Sequence, residues 1–317
     1  MLISTHMVAT CYKSTVSPSR NFKILISARG FPVYNASMQS SAHHLSLLGS
    51  KVTYWTFNPS KKQTIFMVHG FRGTHHGLQD IIDNLSDFRI IIPDLPGFGD
   101  STPMTERHHD IAGYSEFVEQ MIQKLDLANC VLLGHSFGSI IASEVAAGSH
   151  IPIQKLILIN PIATPALQGP RKLFTQFAIA YYWLGRKLPK KAGEALLKSK
   201  SVTLSTSALL AKTKDKKLRK HIHKEHLTHF SRFQARETLN EAFMASVTAT
   251  AADHAAAITM PTLLIVGEID DVAPLKGQYK LARTIPQATL LEIAKVGHLI
   301  HHEAPKQAAT AIAEFLR

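Results

Sequence analysis

The stretch Gly134-His135-Ser136-Phe137-Gly138 is where the residue types first allow covalent chemistry. An apolar run at residues 130–133 precedes it and a helical pattern at 139–147 follows. A serine between two glycines at a strand-to-helix junction sits on a tight turn, where neighbouring backbones come closer than a Cβ allows. Its hydroxyl then stands at the positive end of the helix. A hydroxyl is a weak nucleophile. It needs a base to take its proton and a carboxylate to orient that base.

Two later segments offer both groups. An apolar run at 262–266 leads into Gly267-Glu268-Ile269-Asp270-Asp271, and another at 289–293 leads to Val296-Gly297-His298. Ser136, Asp270 and His298 thus follow in the order nucleophile, acid, base, each beyond the end of a strand-like run. Glu268 and Asp271 compete with Asp270 for the acid. Asn160, just past the run 156–159, stands at another place for an acid, but an amide cannot serve as the carboxylate. A tetrahedral intermediate also needs N–H donors for its oxyanion. One is expected from the backbone of Phe137, the residue after the serine. The other is expected from His69-Gly70-Phe71-Arg72-Gly73, with Phe71 the candidate and Arg72 its competitor. His69, Gly70 and His135 are the residues expected to lie against the substrate.

These residues need a frame that brings distant segments together. Apolar runs at 64–68, 89–92, 130–133, 156–159, 262–266 and 289–293 read as strands, most of them rich in Ile, Val and Leu, as in strands covered on both faces. Residues 51–58 alternate weakly and read as an edge strand. Helical patterns at 79–86, 114–125, 139–147, 277–284 and 305–315 lie between them. The alternation predicts an α/β fold with a doubly wound, mostly parallel sheet. Residues 163–257 break the rhythm with helical patterns alone and read as an inserted helical cap. The core is then 46–162 and 258–317.

The chain has 317 residues and a net charge of +12. Its length buries a large core without disulfides, and the two cysteines, Cys11 and Cys130, do not suggest a disulfide framework. Residues 164–257 hold 17 Lys and Arg against 6 Asp and Glu, so most of the basic excess sits in the cap. No run approaches the ~20 apolar residues of a membrane helix. Residues 1–45 read as a disordered extension, or as upstream of a start at Met38. Their Ser, Thr and basic content without acids is also that of a transit peptide. A cytoplasmic location is the expectation.

Within the cap, residues 174–184 are aromatic-rich, and Arg186, Lys187, Lys190 and Lys191 follow. Such a segment suits a lid over an acyl pocket or a membrane surface. The basic stretch 212–232 suits an anionic or lipid-like ligand. No nucleic-acid module accompanies it. His223, His226 and His229 share a helix face, but no Cys or carboxylate pair supports a metal there, and none is expected. No cofactor fingerprint is present.

The motifs His69-Gly70-Phe71, Asp94-Leu95-Pro96-Gly97-Phe98-Gly99-Asp100-Ser101, Gly134 to Gly138, Gly267 to Asp270 with Pro274, and Gly297-His298 with Glu303 and Pro305 resemble those of the α/β-hydrolase superfamily. The resemblance spans about residues 50–317. It is to the capped group of esterases, lipases, carbon–carbon bond hydrolases, dehalogenases and epoxide hydrolases. The last two use an aspartate where this chain has Ser136. The resemblance implies a nucleophile elbow at Ser136, a triad with Asp270 and His298, and backbone donors at Phe71 and Phe137. The expected activity is hydrolysis of a carboxylic ester or related small acyl substrate through an acyl-enzyme. Carbon–carbon hydrolysis, acyl transfer, a membrane-associated lipase and a non-catalytic binding protein remain as alternatives.

Overall fold

Eight strands pair into one sheet in the computed structural model, which describes residues 40–317 apart from 128, 149 and 168–171. The strands are β1 (Ser40–Leu47), β2 (Ser50–Phe57), β3 (Thr64–Val68), β4 (Arg89–Pro93), β5 (Val131–His135), β6 (Lys155–Ile159), β7 (Thr262–Gly267) and β8 (Ala288–Ile293). Their order across the sheet is β1-β2-β4-β3-β5-β6-β7-β8. The β1–β2 and β2–β4 pairs are antiparallel, and the other five are parallel.

The helices are α1 (Gln79–Ile82), α2 (Ile111–Lys124), α3 (Phe137–Gly148), α4 (Lys172–Lys187), α5 (Lys190–Leu197), α6 (Lys200–Leu210), α7 (Lys216–His229), α8 (Arg236–Thr248), α9 (Leu275–Thr284), α10 (Ile300–Glu303) and α11 (Pro305–Leu316). Successive strand residues point to opposite faces. Leu132, Leu156, Leu158 and Leu264 join Ile140 and Ile141 of α3 in one core. Val131, Leu133, Ile157 and Ile265 join Ile81 of α1 and Ile312 of α11 in a second, on the other face. The continuous apolar runs are thus strands buried from both sides.

Two expectations at the N-terminal side need correction. Residues 40–45 were expected in the extension 1–45, yet they form most of β1; residues 1–39 lie outside those described. Residues 51–58 are consequently not an edge strand, because β1 covers β2. The polar β1 shows no apolar run. It is tied down by a two-residue hairpin, Leu48 and Gly49, whose φ angles of 51° and 73° are those a tight hairpin turn demands. The helix expected at 79–86 is also shorter, ending at Ile82 and entered through a 3₁₀ turn at His75–Leu78.

Helices α4–α8 all fall between β6 and β7. They meet the sheet through the turn after β3. Tyr182 of α4 and Phe243 of α8 stack with ring centroids 4.1 Å apart, and the Phe71 ring lies 5.7 Å from each. The loop after β4 is a second junction. Asp94 accepts hydrogen bonds from the His75 backbone, the His75 ring and the Asp100 N–H. The Gly99 N–H reaches the Arg232 carbonyl at 2.7 Å.

Candidate active site

Ser136 occupies the one-residue gap between β5 and α3, with a φ of 52°. This left-handed conformation is unfavourable for a serine and is held by its surroundings. Its N–H donates to the Ile159 carbonyl at 3.0 Å, and its carbonyl accepts from the Ser139 N–H at 2.8 Å. The flanking glycines are required by close approach. A Cβ on Gly138 would stand 2.3 Å from the Val68 carbonyl oxygen, and one on Gly134 would stand 2.3 Å from the Gly138 oxygen. Helix α3 starts at Phe137, two residues earlier than its pattern suggests, so the first helical N–H groups, which lack intrahelical partners, lie beside Ser136.

The structure brings Ser136, His298 and Asp270 into one hydrogen-bonded line. Ser136 Oγ is 2.8 Å from His298 Nε2, and His298 Nδ1 is 2.8 Å from Asp270 Oδ2. An ionised carboxylate only accepts, so His298 Nδ1 carries the proton and its Nε2 lone pair faces the serine hydroxyl. Asp270 Oδ1 accepts from the N–H groups of Val272 (2.7 Å) and Ala273 (2.9 Å). Burial alone would raise the Asp270 pKa, but His298 and these donors together hold it below its ordinary value. The rival acids point elsewhere. Glu268 accepts from the Lys295 N–H, and Asp271 pairs with Lys212.

One contributor was not assigned a role from sequence. Asn160, wholly buried with a φ of 45°, donates from Nδ2 to the same Asp270 oxygen at 2.8 Å and to the Gly297 carbonyl at 3.3 Å. Glu303 is a second brace. It accepts from the Gly297 N–H (3.1 Å) and from the N–H groups of Lys212 (2.6 Å) and Thr213 (2.7 Å), joining the His298 loop to the insert.

The turn after β3 faces the serine. The Gly73 N–H closes onto the Gly70 carbonyl at 2.9 Å, leaving Phe71 and Arg72 at the two central positions, Arg72 with a φ of 57°. A Cβ on Gly70 would lie 3.4 Å from the Ser136 Cβ. His69 is buried with both ring nitrogens occupied, Nδ1 at 2.9 Å from the Gly70 carbonyl and Nε2 accepting from the Leu95 N–H at 2.9 Å. It braces the turn and has no free ring nitrogen to offer a substrate. His135 is buried with Nε2 lacking a partner; burial, then the nearby His298, push its pKa down to about 3, so it stays neutral.

Arg72 is a buried cation to which the sequence assigned only a competing backbone role. Its guanidinium donates to the carbonyls of Phe230 and Leu197, each at 2.8 Å, and to the Tyr182 hydroxyl at 3.3 Å. It also lies 4.6 Å from the centre of the Phe230 ring. Leu197 ends α5 and Phe230 caps α7, so two negative helix termini meet the positive charge. The expected helix-face histidines divide differently. His223 and His226 both place Nδ1 2.7 Å from Ser207 Oγ, while the His229 ring lies 4.2 Å from that of His76, tilted by 37°.

A cavity of about 570 Å³ lies over the site. Ser136, His298 and Phe71 line its base, and Phe177, Tyr181 and Val202 of the insert line its walls. A nucleophile, a base and an acid beneath a largely apolar cavity can transfer an acyl group from a bound carbonyl compound.

Comparison with known proteins bears on the fold and the family. The family model described as alpha/beta hydrolase fold matches residues 63–305. YugF, an uncharacterized hydrolase of Bacillus subtilis (strain 168), is 26% identical over 85% of this chain and 95% of its own length. Lipase 3 of Moraxella sp. (strain TA144) is 25% identical over 82% of this chain and 79% of its own. A crystal structure of a hydrolase from Pseudomonas aeruginosa PA01 shares the fold with a TM-score of 0.70, at 22% identity over 87% of this chain and 98% of the other. With the family model covering most of the residues from β3 to the start of α11, the chain belongs to the alpha/beta hydrolase fold family.

Proposed function

We propose that this hydrolase is a serine esterase that cleaves a carboxylic ester, or a related small acyl substrate, through an acyl-enzyme. The observation that carries this is the Ser136–His298–Asp270 hydrogen-bonded line at the base of the cavity. Ser136 Oγ attacks the carbonyl carbon as its proton passes to His298 Nε2. The N–H groups of Phe71 and Phe137 receive the oxyanion. His298 returns the proton to the departing alkoxide. Water then attacks the acyl-enzyme, giving its proton to His298, and the carboxylic acid leaves as Ser136 regains its hydrogen. No step calls on a cofactor.

The test is hydrolysis of p-nitrophenyl esters of increasing acyl length by the native chain and by Ser136→Ala. Activity in the first and none in the second supports the assignment, and the preferred length sizes the cavity. Full activity in Ser136→Ala refutes it. A folded chain silent on every ester, yet labelled at Ser136 by a fluorophosphonate, points to carbon–carbon hydrolysis or acyl transfer. Absence of labelling points to a non-catalytic binding protein.

A second reading places the substrate in a lipid surface. Leu173, Phe174, Phe177, Trp183 and Leu184 of α4 are between 42% and 72% exposed, although large apolar side chains normally face inward. Leu173, Phe177 and Leu184 recur at helical spacing along one side of α4. Lys172, Arg186, Lys187, Lys190 and Lys191 flank them, all exposed. Phe177 also lines the cavity. Apolar side chains ringed by cations suit an anionic membrane surface, each Lys or Arg adding about 1 kcal/mol of attraction. Among the described residues no helix is long and apolar enough to cross a membrane.

A further inference from the structure

We propose that Asp80, His221 and His302 bind a divalent transition-metal ion of the zinc type, which fastens helix α7 of the insert to the core beside His298. This inference is independent of the Ser136 chemistry. The three residues come from α1, α7 and α10, so no local sequence pattern announces them. His302 Nδ1 lies 2.8 Å and His221 Nε2 3.4 Å from Asp80 Oδ2, and the three donor atoms all fall within 4.8 Å of one another. Ligand atoms bound tetrahedrally to one Zn²⁺ stand roughly 3.4 Å apart, so small side-chain movements admit the ion.

The donor set suits this chemistry. Two imidazoles with one carboxylate select borderline transition metals over Mg²⁺ and Ca²⁺, which prefer oxygen. His302 is buried, Asp80 half-buried and His221 exposed, which leaves a fourth position open towards solvent. In the ion-free state His302 Nδ1 must donate to the carboxylate. On binding, that proton moves to Nε2 and Nδ1 turns its lone pair to the metal. The lysines beside His221 on α7, Lys217, Lys220 and Lys224, are exposed, so solvent and salt weaken their repulsion.

The location gives such an ion a consequence. Helix α10 starts at Ile300, two residues past His298. The His302 ring lies 4.2 Å from that of His301, His301 lies 4.3 Å from His135, and His135 lies 5.9 Å from His298. A file of imidazoles therefore runs from the ion site to the site base. On the other side, α7 supplies His226 and His229 to the cavity wall. Holding α7 by a metal fixes that wall relative to His298.

The test uses the untagged chain, stripped with EDTA and titrated with Co²⁺. The expected result is one equivalent bound with the visible bands of four-coordinate Co²⁺, displaced by Zn²⁺, indifferent to excess Mg²⁺, and accompanied by a higher melting temperature. His221→Ala removes an exposed ring and Asp80→Asn keeps the side-chain shape. Each should weaken binding at least about tenfold and abolish the metal-dependent rise in melting temperature. His223→Ala, whose ring faces Ser207, should bind as the native chain does. Failure of the native chain to bind Co²⁺ or Zn²⁺, or equal binding by His221→Ala, overturns the proposal.

Discussion

Asn160 and His298 donate to the same oxygen of Asp270, each from 2.8 Å. The amide at the end of β6 therefore completes the environment of a carboxylate carried after β7. With the two backbone N–H groups on Oδ1, Asp270 accepts four hydrogen bonds while buried. That number fixes its rotation and hence the plane of the His298 ring.

Asp270→Asn should therefore damage the chemical step more than binding. The amide cannot accept from His298 as the carboxylate does, and it favours the wrong imidazole tautomer. The expected loss is about 10⁴-fold in kcat. Asn160→Ala leaves the charge in place but frees its orientation, for a loss of up to about a hundredfold in kcat. Full Michaelis curves on a p-nitrophenyl ester decide the matter. An unchanged kcat in Asn160→Ala would mean that the backbone donors hold Asp270 unaided.

The strand positions, the turn around Ser136 and the residues now beside it were legible because each depends on local pattern. The parallel strands are apolar runs, and the turn needs glycines where backbones touch. Asn160 was passed over because its type excluded the role of acid, while its role as a donor to an acid appears only once β6 and β7 lie side by side. Arg72 was hidden for a similar reason. Its partners Leu197 and Phe230 are backbone carbonyls, which no side-chain pattern records. The polar β1 was missed because it is an edge strand held by its hairpin rather than by burial.

Arg72 ties the turn beside Ser136 to the ends of α5 and α7, and its removal should loosen the insert. Arg72→Met leaves two buried carbonyls without donors, at about 1–3 kcal/mol each, so a total loss of about 2–6 kcal/mol is expected. Arg72→Lys should restore only part of it, because one ammonium cannot reproduce the planar fork that reaches three acceptors. Thermal melts of the three proteins test this. Equal stability of Arg72→Met and the native chain would show that the ring contacts alone hold the junction.

Buried and half-buried histidines set the acid limit of stability. Burial, reinforced by neighbouring histidines, pushes His135 and His226 down to about 3 and His76 to about 4. In the unfolded chain each protonates near its ordinary value of 6.5, so below that pH the unfolded state binds protons that the folded state refuses. Stability is therefore complete above about pH 6.5 and falls as the pH drops, by up to about 1.4 kcal/mol per pH unit each for His135 and His226 and by less for the half-buried His76, whose charge water screens. Asp94 and Asp270, held below their ordinary values, lose their contribution only at lower pH. Urea melts from about pH 7.5 to about pH 5 should show this slope. His226→Gln should flatten it by about one proton, and an unaltered slope would mean that His226 does not stay neutral in the folded chain.

The exposed face of α4 makes the lipid-surface reading separable from simple ester hydrolysis. Phe174 and Trp183 are exposed and do not line the cavity, so replacing both with serine removes apolar surface without altering the cavity lining. Such a double variant should hydrolyse a short soluble ester at the native rate. On vesicles containing anionic lipid it should float poorly, because each aromatic ring lost forfeits on the order of 1.5–3 kcal/mol of burial. Neutral vesicles should bind the native chain more weakly than anionic ones, and added salt should reduce the difference, since the lysines and arginines beside the rings act through a screened field. Equal flotation of native and variant chains on anionic vesicles would assign the exposed rings to contact with another protein. Loss of soluble-ester hydrolysis in the variant would instead show that α4 is needed to shape the cavity itself.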